Sequence, residues 1–184
     1  MIEQDNLNKF YRQMTETSEQ AEARLGRFQY SGLGLIDKIL PDETVIDIGC
    51  GHNIFKKYIP NLIGIDPNYS GADHRTTLEE FTTDQKFNVA FCLGSMQYGT
   101  LDDVKNQVSK VTQLLTPTAR IYWRSKMANP YVAPKTYDFT IFRWTVELHH
   151  AVAEQFGFTV AECSVDQQTP DLDNIRWLYA AWVR

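Results

Sequence analysis

The stretch VIDIGCGHN, Val45 to Asn53, sets branched apolar residues around a single aspartate and then breaks into Gly-Cys-Gly. Val45 to Ile48 have the composition of a buried strand, and Gly49 and Gly51 offer backbone conformations closed to other residues. A strand that stops in glycine is one whose main chain is approached closely from outside. In an open parallel sheet the visitor is a ligand, because ligands bind beyond the carboxyl ends of strands, where the strand order reverses.

Outward from this turn, strands and helices alternate. ETVIDIG is followed by a short helix in HNIFKKYI, a second strand in NLIGID, a weak third in ADHRTT and a fourth in FNVAFCLG. LDDVKNQVSKVTQLL places Val104, Val108, Val111, Leu114 and Leu115 on one helical face, and RIYWRS is a fifth strand. After an irregular segment over residues 126–143, a helix over Val146 to Phe156 closes at Gly157, and two strands, FTVAECSV and IRWLYAAWVR, end the chain. The pattern predicts an α/β fold: a doubly wound, mostly parallel seven-stranded sheet whose last strand is antiparallel, since only a polar turn with Pro170 joins the final pair. Between Asp66 and Ala72 lie only PNYSG, whereas a parallel crossover takes about a dozen residues, so no full helix is expected there. On the amino side, Leu7, Phe10, Met14, Ala21 and Leu25 form an amphipathic stripe over Gln4 to Gly26, and Leu33 to Leu40 forms a second short helix ended by Pro41. The chain reads as one compact unit, a helical cap over 1–29 on a body over 30–184.

The formal charge of −5 provides no basic field for a phosphate backbone, which argues against nucleic acid as the partner. Arg120, Arg124 and Lys126 read as a solvated strand edge. Cys50, Cys92 and Cys163 are odd in number and set among apolar residues, the pattern of reduced thiols. With no apolar run long enough for a membrane span and no secretory pattern in MIEQDNLNKF, the expectation is a cytoplasmic protein. It is expected to be a monomer or a homodimer joined through the final hairpin.

Two cofactor classes use such a turn. A dinucleotide fold wants Gly-x-Gly-x-x-Gly, but the sixth position here is Ile54, which argues against a pyrophosphate. VIDIGCGHN resembles instead the first motif of the class I, seven-stranded S-adenosylmethionine-dependent methyltransferases. NLIGIDP resembles their second strand with its acid, FNVAFCLGSMQY their fourth strand and loop, and FRWTVELHHAVAEQFGFTV the helix before the sixth strand; the likeness covers about residues 30 to 184. It implies S-adenosylmethionine as cofactor and S-adenosylhomocysteine as product. It implies that Asp66, followed by Pro67, holds the ribose hydroxyls, and that Gly49, Cys50 and Gly51 present backbone to the methionine part, with His52 reaching its carboxylate. Asp47 either meets the cofactor ammonium or caps the glycine turn. Leu93, Gly94 and Ser95 lie beneath the adenosyl group, with Met96 as contact or core.

The chain departs from the family pattern at two places. Asn53 stands where a third glycine is usual, tolerable because asparagine visits the left-handed region. Thr76 or Thr77 stands where an aspartate commonly meets the adenine amino group, with the Leu78 amide beside it and Glu79 or Glu80 as substitutes.

The resemblance implies methyl transfer to a small-molecule acceptor by in-line displacement, which demands alignment more than a dedicated base. A catalytically silent cofactor-binding regulator or assembly protein is the alternative. Tyr98 and Trp123 are candidates to face the sulfonium. Tyr11, Arg27, Tyr30, Tyr131, Tyr137 and Trp144 are candidates for the acceptor pocket, and Tyr131, Tyr137 and His149 for catalysis. The NPY at Asn129 to Tyr131 follows the fifth strand rather than the fourth and reads as an extended loop. No metal is expected: among the four histidines, His149 and His150 are adjacent and point about 100° apart on a helix.

Overall fold

The computed structural model describes residues 6, 9, 16–128, 140–166 and 176–184. Its core is a six-stranded sheet in the order β2-β1-β3-β4-β6-β5. The strands are β1 (Val45–Ile48), β2 (Leu62–Ile65), β3 (Phe87–Leu93), β4 (Leu115–Lys126), β5 (Thr159–Asp166) and β6 (Trp177–Val183). The pairs β1–β2, β1–β3 and β3–β4 are parallel, whereas β6 runs antiparallel to both β4 and β5. The chain moves one way from β1 to β2 and the other way from β3 to β4, so the order reverses between β1 and β3. That places the glycine turn at the switch point, as its composition predicts.

Side-chain alternation splits the apolar residues between the two faces of the sheet. On one face Ile46, Ile48, Ala90, Cys92, Ile121, Trp123, Ala180 and Trp182 pack under helices α2 (Leu101–Leu114) and α3 (Val146–Gln155). On the other face Val45, Val89, Phe91, Tyr122, Tyr179 and Ala181 pack under α1 (Ser18–Leu25) and two 3-10 segments, Leu33–Lys38 and Ile54–Lys57. Asp47 and Arg124 fall in the alternation of this second face. No helix among the described residues is long and apolar enough to cross a membrane.

Two expectations are corrected. The third strand is reduced to a single parallel bridge between Ile65 and His74, leaving six strands among the described residues. The physical reason is the short connection: with no helix between Pro67 and Asp73, the chain cannot travel back far enough to pair along β2. A side chain substitutes for the missing ladder, as Asp73 Oδ2 accepts the Gly64 N–H at 2.8 Å while Lys56 stands 3.5 Å from Oδ1. The other correction concerns the amino-terminal helix. Residues 6 and 9 are helical, but Thr17 is extended at φ −79°, ψ 166°, so no continuous helix spans Gln4 to Gly26. Thr17 instead caps α1, accepting from the Gln20 N–H while the Gln20 side chain accepts from its own. Leu7, Phe10 and Met14 lie outside the described residues. Ala21 and Leu25 do face the body, and Glu22 ties α1 to Lys57 at 2.6 Å and to the Tyr58 hydroxyl.

Candidate functional site

The turn after β1 is built by hydrogen bonds to β2 and by packing against the end of β3. Gly49 and Cys50 both donate to the Ile65 carbonyl, at 2.8 and 3.1 Å. Gly49 has φ +70°, and a Cβ there would lie 2.5 Å from the Ser95 Cβ, so the residue is required both for its backbone and for the approach of the two loops. Gly51, at φ +55°, has nothing within 4 Å of the place a Cβ would take. One glycine closes the turn onto the sheet and the other leaves its outer side bare. Asn53 adopts φ 55°, ψ 40°, the left-handed conformation anticipated for it, and its amide donates to the Gly71 carbonyl and Asp73.

The two aspartates divide the expected roles in an unexpected way. Asp66, not Asp47, caps the glycine turn: its Oδ2 accepts the Gly51 N–H at 3.1 Å, and its Oδ1 accepts Asn68 and Tyr69 N–H groups at 2.8 and 3.1 Å. The turn and the Pro67–Tyr69 bend are therefore locked to one carboxylate. A carboxylate offers roughly four acceptor positions, so capacity for a further donor remains. Asp47 is 4% exposed and has no hydrogen-bond partner among the described residues. Burial pushes its carboxyl up to about 7, with Arg124 opposing the rise and Asp66 adding to it. Buried carboxyls without donors are costly, and an external cation would complete this one.

Further unpartnered buried atoms surround the same turn: His52 Nε2, Asn53 Oδ1 and Ser95 Oγ. The His52 ring stands edge-on to Tyr69 at 4.8 Å. Leu93, Gly94 and Ser95, at the end of β3 against which the turn packs, are half-buried. Bare glycine backbone, a carboxylate with spare capacity, a buried carboxyl lacking a donor and an orphaned imidazole nitrogen together fit a nucleoside bearing an amino-acid tail.

No protein-family model matches the sequence and no curated protein is similar to it. Solved structures are similar in fold. The N-methyltransferase NodS from Bradyrhizobium japonicum WM9, in complex with S-adenosyl-L-homocysteine, is 14% identical, with 98% of this chain and 99% of that one covered at a TM-score of 0.65. Magnesium protoporphyrin IX methyltransferase from Synechocystis PCC 6803, with bound S-adenosylhomocysteine, is 15% identical over 98% of this chain and 93% of that one, at 0.62. The Burkholderia thailandensis 1,6-didemethyltoxoflavin-N1-methyltransferase is 13% identical over 77% and 71%, at 0.63. The chain has the class I methyltransferase fold.

Within that fold the remaining predicted residues sort into three groups. At the adenine end, Thr77 is committed to a surface turn: its hydroxyl donates to Glu80 at 3.1 Å and accepts the Glu80 N–H at 3.3 Å. Glu80 thus caps this turn, and Leu78 is buried beside it. The second group belongs to the core. Met96 is 3% exposed, and Trp123 and Trp144 are fully buried, so neither tryptophan faces the crevice as the sequence reading anticipated. His149 is also fully buried, stacked on Trp144 at 4.3 Å and bonded to Ser125 Oγ at 3.1 Å. Burial lowers its pKa to about 3, so the imidazole is neutral and only weakly basic at neutral pH. Tyr98 is buried and bridges to Ile141. Tyr30 stacks on Tyr179 at 5.6 Å, and exposed Arg27 lines an open groove of about 410 Å³ with Glu16, Gln20 and Arg24 of the α1 region. The third group, Tyr11, Tyr131, Tyr137, the NPY segment and Pro170, lies outside the described residues.

Two of the three thiols are held protonated by their surroundings. Burial pushes the Cys50 and Cys92 thiols well up, and nearby carboxylates add to the effect.

Arg124 is the residue that sequence reasoning misplaced. It is 6% exposed, not a solvated edge. The available signal was its place in the β4 alternation, two residues beyond Tyr122 on the face that also holds Asp47. Arg120, by contrast, is partly exposed and paired with Glu43 at 2.8 Å.

Proposed function

We propose that the protein is an S-adenosylmethionine-dependent methyltransferase acting on a small-molecule acceptor, with residues 30–184 as the cofactor-binding body and 1–29 as its cap. The observation that supports this most directly is the pairing of a glycine turn, open above Gly51, with Asp66, whose carboxylate is hydrogen-bonded to that turn. Asp66 would receive a ribose hydroxyl on its remaining acceptor position, as a charge-assisted bond. Asp47, buried behind the turn, would pair with the cofactor ammonium. His52 Nε2 would meet the methionine carboxylate, and Leu93 to Ser95 would form the floor. The similar structures named above include methyltransferases of 1,6-didemethyltoxoflavin and of magnesium protoporphyrin IX, and this chain's span is close to that of the N-methyltransferase NodS.

When bound, S-adenosylmethionine supplies a methyl group already activated by the positive sulfur. The chain's task is then to hold that nucleoside rigidly and to align an acceptor in line with the C–S bond, an effect worth up to ~7 to 11 kcal/mol for well-oriented reactants. The double anchoring of the glycine turn, to Ile65 and to Asp66, provides the rigidity. Tyr131 and Tyr137 remain candidates for contact with the acceptor, and the cysteines and His149 do not. Titration calorimetry with S-adenosylhomocysteine, NAD and buffer tests the cofactor assignment: heat with the first alone is expected, and heat with NAD alone would overturn it. Transfer of a labelled methyl group to a panel of small metabolites tests the activity.

A further inference from the structure

Among the described residues, one buried ion near the glycine turn, Arg124, makes no contact with Asp47 or Asp66. Arg124, at the carboxyl end of β4, is paired in register with Leu93 of the crevice wall. Its guanidinium lies 4.1 Å from the Phe28 ring and 5.8 Å from that of Trp177. One nitrogen donates to the Leu93 carbonyl at 2.9 Å and another to the Ser31 carbonyl at 3.4 Å. No carboxylate forms an ion pair with it among the described residues.

Asp166, which acts on the guanidinium through space, is engaged elsewhere. It accepts the N–H groups of Tyr30 and Ser31 at 3.0 and 3.2 Å, and the Ser31 hydroxyl as well. Its part is to fix the Tyr30–Ser31 bend whose carbonyl in turn orients Arg124. Nε, by contrast, has no acceptor among the described residues, and it faces the space beside Gly94, where a Cβ would find only this atom, at 4.0 Å. Arg24 adds a like charge near it, and burial with that repulsion brings the Arg124 pKa down to about 9. A buried cation with a free donor edge, and a buried carboxyl at Asp47 lacking a donor, share one face of the sheet without touching each other. Each is costly alone, and each is relieved by a ligand group of opposite charge.

We propose that Arg124 is a carboxylate-binding point in the crevice, presenting its unpartnered Nε edge beside Gly94 to an anionic group of a bound molecule. Arginine suits this because its planar fork meets both oxygens of a carboxylate. The carboxylate belongs either to the amino-acid end of the adenosyl cofactor, with Asp47 on the ammonium, or to the acceptor. The inference rests on the methyltransferase reading for where the ligand lies, but its test does not depend on turnover.

The experiment is calorimetry on wild type, Arg124→Met and Arg124→Lys, all checked by circular dichroism. The ligands are S-adenosylhomocysteine, 5′-methylthioadenosine, which lacks the amino-acid end, and benzoate against benzamide on both the free and the S-adenosylhomocysteine-loaded protein. If the cofactor supplies the carboxylate, Arg124→Met weakens S-adenosylhomocysteine by at least about thirtyfold, the lower range for truncating one partner of a buried charge pair, and leaves methylthioadenosine unchanged. If the acceptor supplies it, S-adenosylhomocysteine is unaffected, and benzoate but not benzamide binds the wild type and is lost in the variant. Arg124→Lys keeps the charge and loses the fork, so it falls between the two; it also serves if Arg124→Met does not fold. Equal losses for both nucleosides, or no change with any ligand, would overturn the proposal and leave Arg124 a packing residue. Should wild type bind neither nucleoside, the adenosyl reading fails by itself, and the benzoate arm on free protein still judges Arg124.

Discussion

Asp47→Asn is expected to make the protein more stable and worse at binding its cofactor. The carboxyl is raised from an ordinary 3.8 to about 7, chiefly by burial. Between those values the folded chain keeps a proton that the unfolded chain has released, so stability falls as pH rises through this window and the loss is complete above about 7. At 1.36 kcal/mol per unit the gap corresponds to at most about 4 kcal/mol at pH 8. Asparagine is nearly isosteric and does not ionise, so the variant should gain stability at pH 8 and show no gain at pH 4. Its amide cannot neutralise an ammonium, and the affinity for S-adenosylhomocysteine should drop at pH 8. In the wild type a cationic ligand favours the ionised carboxyl, so binding should strengthen about tenfold from pH 6 to pH 8, with proton release, and this pH dependence should vanish in the variant. Urea unfolding at the two pH values and calorimetry in buffers of different ionisation enthalpy measure both effects. A variant that is less stable at pH 8, or that keeps the wild-type pH dependence of binding, would refute the reasoning.

Further outcomes follow from the same geometry. Gly49→Ala combines a left-handed backbone with a 2.5 Å clash against Ser95 and should cost at least ~2 kcal/mol in denaturant titration, while Gly51→Ala, with open space around it, should cost only ~1 to 2 kcal/mol yet weaken nucleoside binding by filling that space. Asp66→Asn should weaken S-adenosylhomocysteine and 5′-methylthioadenosine alike in calorimetry, since both retain the ribose, and should lower the melting temperature because three N–H groups lose a charged acceptor. His149, at about 3 in the fold, stays neutral while the unfolded chain protonates below its ordinary 6.5, so stability should fall as pH drops through that window, by ~1.4 kcal/mol per pH unit. That loss opposes the gain from Asp47 in the same range, and His149→Gln should remove it from the pH profile of unfolding.

Local pattern was enough for several features because the physics there is local. Strand periodicity and the Gly-Cys-Gly break placed the turn at the carboxyl end of the first strand, and the left-handed tolerance of asparagine anticipated the backbone of Asn53. Chain length alone ruled out a helix between Pro67 and Asp73. What the short crossover would do to the third strand depended on Asp73 reaching the Gly64 N–H, a contact no periodicity encodes.

The sequence by itself determined the α/β alternation, the antiparallel final pair and the identity of the glycine turn, since each follows from residue spacing and backbone sterics over a few positions. Only the tertiary structure decided which aspartate caps that turn, that His149 and Trp144 are core, and that Arg124 is buried. Burial and charge depend on what covers a side chain. For Arg124 the cover is Phe28 and the Ser31 carbonyl, more than ninety positions away in the chain.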